Sequence, residues 1–443
     1  MTSSLSLGAE GAVFEVLVER PSTPLDPSSH ASAPLRMADS NGLERLKLGE
    51  GTVMSKYLGN SIVTNARNLG YAGTIQLGEP PQSFQVVFDT GSDMIVVISN
   101  MCQGMHCNDM TQYTCTSCAR TPYSYNITYG DGTWGAGPIV TDTVSLGGLV
   151  VKNQQILDIT KSGLDLSGYG NGVSGLVGLM PHSPVARAIP PLQTIYENKL
   201  LDQNVFSVYL TSSLTPKQGG SFLFGGIDTS KFSGDLNWVP LSTAPSVREG
   251  MWYIEADNAL AGTTPVAGYK QSPWLFDTGT SFIAVPTTFA QEFHKLIPGS
   301  SFSATDQVYT VPCTGNTSFA VSFQGQVYEV PYLDYIARAS GGGPNSCVSL
   351  VMPLGNYEMY ILGDPFLRQV YAVYDFNTGA SRIGLAKVNV KNGSLGNEGL
   401  SGGPVPGGGV IAPLDSAAPA TRTQHWITVL MVPILIVAGL IIL

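Results

Sequence analysis

Residues 86–93 read VVFDTGSD, and residues 274–281 read WLFDTGTS. Each copy sets Asp-Thr-Gly directly behind a run of apolar, strand-forming residues and follows the Gly with a hydroxyl side chain, Ser92 or Thr280. An Asp that leaves a buried strand with a tight Thr-Gly turn behind it is a carboxylate held out of water. If the two copies face each other across a pseudo-twofold axis, Asp89 and Asp277 meet there. Two carboxylates in one site cannot both ionise easily, so they titrate as a pair, one pKa raised and the other lowered. Such a pair can hold a water between them.

A second echo supports duplication. SGLVGLM follows the first Asp-Thr-Gly and MYILGDP the second; Gly178 comes 89 residues after Asp89, and Gly363 comes 86 after Asp277. Matching offsets argue for two homologous halves.

The 443 residues exceed one ordinary domain. Only 12% are charged, against 51 Gly and 29 Pro, a composition that favours short strands joined by turns over long helices. Strand-like runs recur from Gly70 onward: YAGTIQLG, SFQVVFDTG, YSYNITYG, FSVYL, SFLFGG, LNWVPL, MWYIEA, FAVSF and AVYDF, each bounded by turn residues. A short helix is expected around TTFAQEFHKLI at 287–297. The expected fold class is therefore all-β, with few short helices. A formal charge of −10 argues against a nucleic-acid partner.

Cys102, Cys107, Cys115 and Cys118 cluster, with Cys313 and Cys347 further on. The cluster with His106 nearby is compatible with zinc, but the even count and the Asn-x-Ser/Thr sequons at Asn126, Asn316 and Asn392 favour disulfides made on an oxidising secretory route. Residues 1–67 read as a leader. Between Arg36 and Arg67 it is net positive within a negative chain, which suits either a removable segment over an acidic cleft or a solvated tail. AVFEVLV comes nearest to a signal core, yet Glu15 interrupts it and no basic region precedes it, so a start placed downstream of the true entry signal is expected, the alternative being a tail-anchored cytosolic protein whose six thiols stay reduced.

Residues 391–425 form a Gly/Pro/Ser-rich linker, and 426–443 an apolar tail. Small residues at Ser416, Ala417 and Ala418, then a spacer from Pro419 to Trp426, suit a glycosylphosphatidylinositol signal better than a retained span. The expected location is the cell surface, with the membrane as partner through the tail or its lipid.

Taken together, both Asp-Thr-Gly motifs, ITYGDGT at 127–133, GLVGLM, ILGDPFLRQVYAVYDF at 361–376 and IGLA at 383–386 strongly resemble the pepsin-like aspartic proteases. The resemblance covers about residues 68–390. It implies a bilobal fold with lobes at 68–243 and 244–390 and a cleft between them that binds extended peptides. It also implies an acid endopeptidase with protein substrates, no cofactor or metal, and a monomeric state.

Carried over position by position, Asp89 and Asp277 are the catalytic dyad. Thr90 and Thr278 bond across the axis, Ser92 and Thr280 donate to the carboxylates, and Gly91 and Gly279 let backbone amides approach. Tyr129, Gly130 and Asp131 form the tip of the flap, the hairpin that closes over substrate, and Asp131 there would favour a basic side chain beside the scissile bond. Cys102–Cys107 and Cys313–Cys347 match the family's small loops, while Cys115–Cys118 is an additional pair. Val96 stands where the family has a Trp that braces the flap Tyr, so Tyr129 must find another support. A glycan on Asn126, three residues before that Tyr, would crowd the cleft. Two other classes fit the sequence less well. A silent peptide-binding protein on this fold would have lost an aspartate or a supporting hydroxyl, and aspartyl-phosphate chemistry would need a Lys after the Asp and an α/β core.

Overall fold

The computed structural model describes residues 70–104, 106–130, 132–166, 172–183, 189–212, 219–247, 250–338, 346–355, 357–377 and 381–389, with the backbone of three short strands before them. The chain is mostly β with few, short helices.

The first half builds a seven-stranded sheet. Its spatial order is Ala72–Leu77, Gln82–Asp89, Val173–Gly178, Ile95–Gly104, Leu149–Ser162, Trp134–Leu146 and Ala119–Thr128. Gln82–Asp89 is the strand that ends on the first aspartate. It runs parallel to Val173–Gly178, with Asp89 opposite Gly178, and Val173–Gly178 runs antiparallel to Ile95–Gly104. The second half repeats this in a five-stranded sheet. Ser272–Phe276 runs parallel to Tyr360–Leu362, which is antiparallel to Ile283–Val285.

The aliphatic-Gly echoes mark these parallel neighbours, and the glycines are there for space. A Cβ on Gly178 would lie 2.6 Å from the Asp93 carbonyl carbon, and one on Gly363 would overlap the Thr280 carbonyl oxygen. Both Asp-Thr-Gly turns are thus pressed against a glycine from the strand alongside.

Behind the two turns lies a six-stranded sheet: Phe14–Val18, Gly220–Phe224, Val205–Leu210, Val370–Asp375, Arg382–Val388 and Phe232–Pro240. It takes strands from both sides of residue 243, so the halves share a floor. Its edge strand Phe14–Val18 comes from the segment expected to be a leader, in antiparallel register with Gly220–Phe224.

Aromatic packing fixes this floor to the turns. Phe88 stacks on Phe222 at 4.9 Å, Phe206 on Tyr374 at 4.6 Å, and Trp252 meets Tyr374 edge-on at 5.0 Å. Trp252 also donates its indole N–H to the Leu179 carbonyl at 2.8 Å, tying the second half to the first. Fully buried aromatics of this size are among the largest single contributors to a core.

The helix expected at 287–297 is observed at Thr287–Lys295. Its His294 is buried, stacked on Tyr309 at 3.8 Å, with Nδ1 2.6 Å from the Ala290 carbonyl and Nε2 without a hydrogen-bond partner among the described residues. Burial pushes its pKa down to about 4. A histidine whose folded pKa is depressed takes its proton in the unfolded chain first. Stability is therefore intact above the unfolded value of about 6.5 and falls as pH drops from there to about 4. His294→Phe, made in an inactive background to prevent self-digestion, should lose about 3 kcal/mol less than its parent between pH 7 and pH 4 in urea denaturation. Equal losses would contradict this assignment.

All six cysteines pair as Cys102–Cys107, Cys115–Cys118 and Cys313–Cys347, so the cluster near His106 offers no thiolate to zinc. Among the described residues no helix is long and apolar enough to cross a membrane. The linker and the apolar tail lie outside the described residues, as does Asn392.

Candidate active site

The two Asp-Thr-Gly turns meet with their hydrogen bonds duplicated in each direction. The Thr90 amide donates to Thr278 Oγ1 at 3.1 Å, and the Thr278 amide donates to Thr90 Oγ1 at 3.0 Å. Each hydroxyl then donates onward across the axis, Thr90 to the Phe276 carbonyl at 2.8 Å and Thr278 to the Phe88 carbonyl at 2.6 Å. Both threonines are buried.

Four hydrogen bonds in a dry place make this lock strong, because breaking one leaves unpaired groups that water cannot reach. Thr278→Val strands the Phe88 carbonyl and the Thr90 amide. It should cost about 3 kcal/mol of unfolding free energy, while Thr278→Ser recovers most of it. A valine variant as stable as the wild type would refute the lock.

The carboxyl groups sit on top of the lock. The Gly91 amide donates to Asp89 Oδ1 at 2.8 Å, and the Gly279 amide donates to Asp277 Oδ1 at the same distance. Each glycine also faces the opposite aspartate. A Cβ on Gly91 would stand 2.7 Å from Asp277 Cγ, and one on Gly279 would collide with Asp89 Oδ1. Asp89 and Asp277 are buried and near enough to interact directly.

Burial is the main cause that holds Asp89 well above the usual carboxylate range, and the Asp277 charge adds to it; Ser92 and the Gly91 amide oppose both. The hydroxyl supports are unequal. Thr280 Oγ1 donates to Asp277 Oδ2 at 2.6 Å. Ser92 Oγ lies buried beside Asp89 and favours its ionised form, yet meets strict hydrogen-bond geometry with no described residue.

Strands Ala119–Thr128 and Trp134–Leu146, expected to be the flap, form a hairpin. Its turn is closed by the Tyr129 amide donating to the Thr133 carbonyl at 2.8 Å and the Gly132 amide donating to the Tyr129 carbonyl at 2.9 Å. Gly130 lies within this turn, and Asp131 lies outside the described residues.

Val96 is fully buried in an apolar cluster with Met94, Ile98, Ile127, Leu157 and Leu164, and Tyr129 packs against that cluster. Tyr129 also packs against a second cluster that includes Leu166, Val173 and Leu176. Tyr129 is therefore supported by apolar contact from two clusters, one of which contains Val96.

Some neighbours of the site carried no signal as isolated letters. Asp93 accepts a hydrogen bond from Ser183 Oγ at 2.5 Å beside the first turn. Asp364 is buried beside Asp277 and Arg368. Burial raises its pKa well above the usual carboxylate range against the pull of Arg368, and Asp277 adds to the rise. Arg368 is buried too and donates Nη2 to the Asp334 carbonyl at 2.9 Å. Asp364 and Arg368 fall in the ILGDPFLRQ stretch, whose i, i+4 spacing on a helical turn was the available clue.

Comparison with known proteins agrees with this geometry. The model of the eukaryotic aspartyl protease family matches residues 70–388. Pepsin A of Callithrix jacchus is 33% identical over 348 residues, 77% of this chain and 86% of that protein. Pepsin A of Bos taurus is 32% identical over 369 residues, 79% of this chain and 95% of its own. Pepsin A of Rhinolophus ferrumequinum is 34% identical over 333 residues, 73% and 82% of the two chains. With a match from the first described strand of the seven-stranded sheet to the last strand of the floor, the chain belongs to the eukaryotic aspartyl protease family.

Proposed function

We propose that this chain is a catalytically competent acid endopeptidase whose Asp89 and Asp277 activate a water against a peptide bond. The observation that carries this is the directly interacting pair of buried carboxyls, each fixed by a glycine amide on the doubly crossed threonine lock. Neither aspartate, neither threonine and neither following hydroxyl is missing, which disfavours a silent peptide-binding protein.

The chemistry follows from the shared proton, a behaviour for which this family is the standard example. Asp89, with its raised pKa, carries that proton and donates it to the oxygen of the scissile carbonyl as negative charge develops there. Asp277, already accepting from Gly279 and Thr280, takes a proton from the water as the water's oxygen attacks the carbonyl carbon. The tetrahedral intermediate then collapses as Asp277 gives its proton to the leaving nitrogen and Asp89 takes one back from a hydroxyl of the intermediate, which restores the singly protonated pair. No covalent enzyme intermediate is formed. Tyr129, Gly130 and Asp131 cover an extended peptide, with Asp131 favouring a basic side chain next to the cleaved bond.

The test is cleavage of an unfolded protein at about pH 4 in the presence of hydroxylamine. Cleavage with free carboxyl termini and no hydroxamate supports direct attack by water; hydroxamate products would indicate an acyl-enzyme instead.

Three further properties belong to this proposal. Residues 1–67 act as an inhibitory leader, anchored by pairing of Phe14–Val18 with Gly220–Phe224. Acid treatment should shorten the chain to near residues 60–70 with gain of activity. Three disulfides support a secretory route. The apolar run from Ile427 to Leu443 supports tethering of a monomeric enzyme to the cell surface, by a lipid in place of the tail, and release by a phosphatidylinositol-specific phospholipase tests it.

A further inference from the structure

We infer that Asn126 carries an N-linked glycan on the outer face of the flap, where it shields an exposed sheet edge without entering the cleft. The inference rests on the secretory route proposed above. Ala119–Thr128 is the terminal strand of the seven-stranded sheet, bonded on one side to Trp134–Leu146. Its ten residues, ARTPYSYNIT, include one charge, Arg120, and Tyr123 is 45% exposed. A long edge strand with few charges is a template for pairing with another chain, and proteins ordinarily blunt such edges with charge, proline or bulges. Here Pro122 and a register shift between Arg120 and Ser124 protect one end. The other end, Tyr125 to Thr128, pairs in unbroken register with Pro138-side residues down to Trp134 and lacks any charged side chain.

That unprotected end is where the Asn-Ile-Thr sequon lies. Successive strand side chains point to opposite faces. Tyr125, Ile127 and Tyr129 pack inward on the Val96 cluster, so Asn126 and Thr128 point outward, and both are exposed. The expectation that a glycan at Asn126 crowds the cleft is thereby revised: sequence distance from Tyr129 is short, but the two side chains leave opposite faces of the hairpin.

In the modification, the Asn126 amide nitrogen bonds to the anomeric carbon of a lipid-pyrophosphate-linked oligosaccharide. The bond from that carbon to the pyrophosphate oxygen breaks, the lipid pyrophosphate leaves with the electron pair, and the amide proton is lost to solvent. A sugar chain fixed at this position is a bulky hydrated obstacle to any strand approaching the edge.

Asn316, in an exposed turn after Cys313, provides an internal control. The full chain is produced through a eukaryotic secretory pathway, treated with peptide N-glycosidase, and mapped for the aspartate that replaces each glycosylated asparagine. Modification at both 126 and 316 is expected. Asn126→Gln and Thr128→Ala should each lose one glycan's mass and aggregate several-fold more, while Thr128→Ser should match the wild type. If Asn316 is modified and Asn126 is not, the inference fails and the secretory route stands. If neither is modified, both fail. If Asn126 is modified but its removal leaves aggregation unchanged, the shielding role is overturned.

Discussion

Asp89→Asn abolishes peptide cleavage, by about 10⁴-fold or more, because the proton donor to the developing oxyanion is gone and the pair can no longer share a proton. The variant keeps its fold. The asparagine side-chain carbonyl can still accept from the Gly91 amide, the bond Asp89 makes at 2.8 Å. It also removes a liability. Asp89 has a folded pKa raised above its unfolded one, first by burial and then by Asp277, so its share of stability is complete in acid and is lost as pH rises toward that raised value. Asp89→Asn should therefore be inactive at every pH, more stable than the wild type near neutrality, and no more stable below the unfolded carboxylate pKa. Activity assays paired with urea denaturation at the two pH values check both statements. An inactive variant that is also destabilised near neutrality would mean that the turn had collapsed, and would remove the support for a chemical role.

Gly91→Ala is expected to have the next largest effect, about 100-fold in kcat with little change in KM. The new Cβ would lie 2.7 Å from Asp277 Cγ, closer than any real methyl tolerates. The cheapest relief is for the Asp277 carboxyl to swing away. That movement breaks its bonds to the Gly279 amide and the Thr280 hydroxyl and separates it from Asp89. The fold survives because the threonine lock beneath is untouched. Gly279→Ala presses on Asp89 in the same way from the other side, so the two variants should be similarly impaired. Steady-state kinetics on one peptide decides this, and a loss below about threefold in either variant would show that carboxyl spacing is not what limits the rate.

Much of this site was legible because its signals are local. Asp-Thr-Gly after an apolar strand, a hydroxyl next, and an aliphatic-Gly pair at a matching offset each report a backbone requirement that single letters can encode. Those glycines have a steric reason: Gly178 and Gly363 lie where a side chain would strike the turn that follows each aspartate.

What stayed hidden depends on contacts between residues far apart in sequence. Phe14–Val18 joins the shared floor although Glu15 interrupts its apolar run. Tyr374 stacks on Phe206 and reaches Thr90 of the first turn. Tyr129 packs on two apolar clusters that draw residues from all seven strands of the first sheet, a support that Val96 as a single letter could not announce. The outward aim of Asn126 needed the strand's facing to be known, and proximity in sequence alone pointed the other way.

In the proposed mechanism two buried carboxyls sharing one proton do the work. The most direct measurement of it is kcat/KM for one peptide across acidic to neutral pH. A bell is expected: the rate falls at low pH as the pair gains its second proton and falls again as the raised Asp89 pKa is passed. A rate that rises with pH to a plateau and never falls again would contradict it, because above the Asp89 pKa no proton is left to give to the carbonyl oxygen.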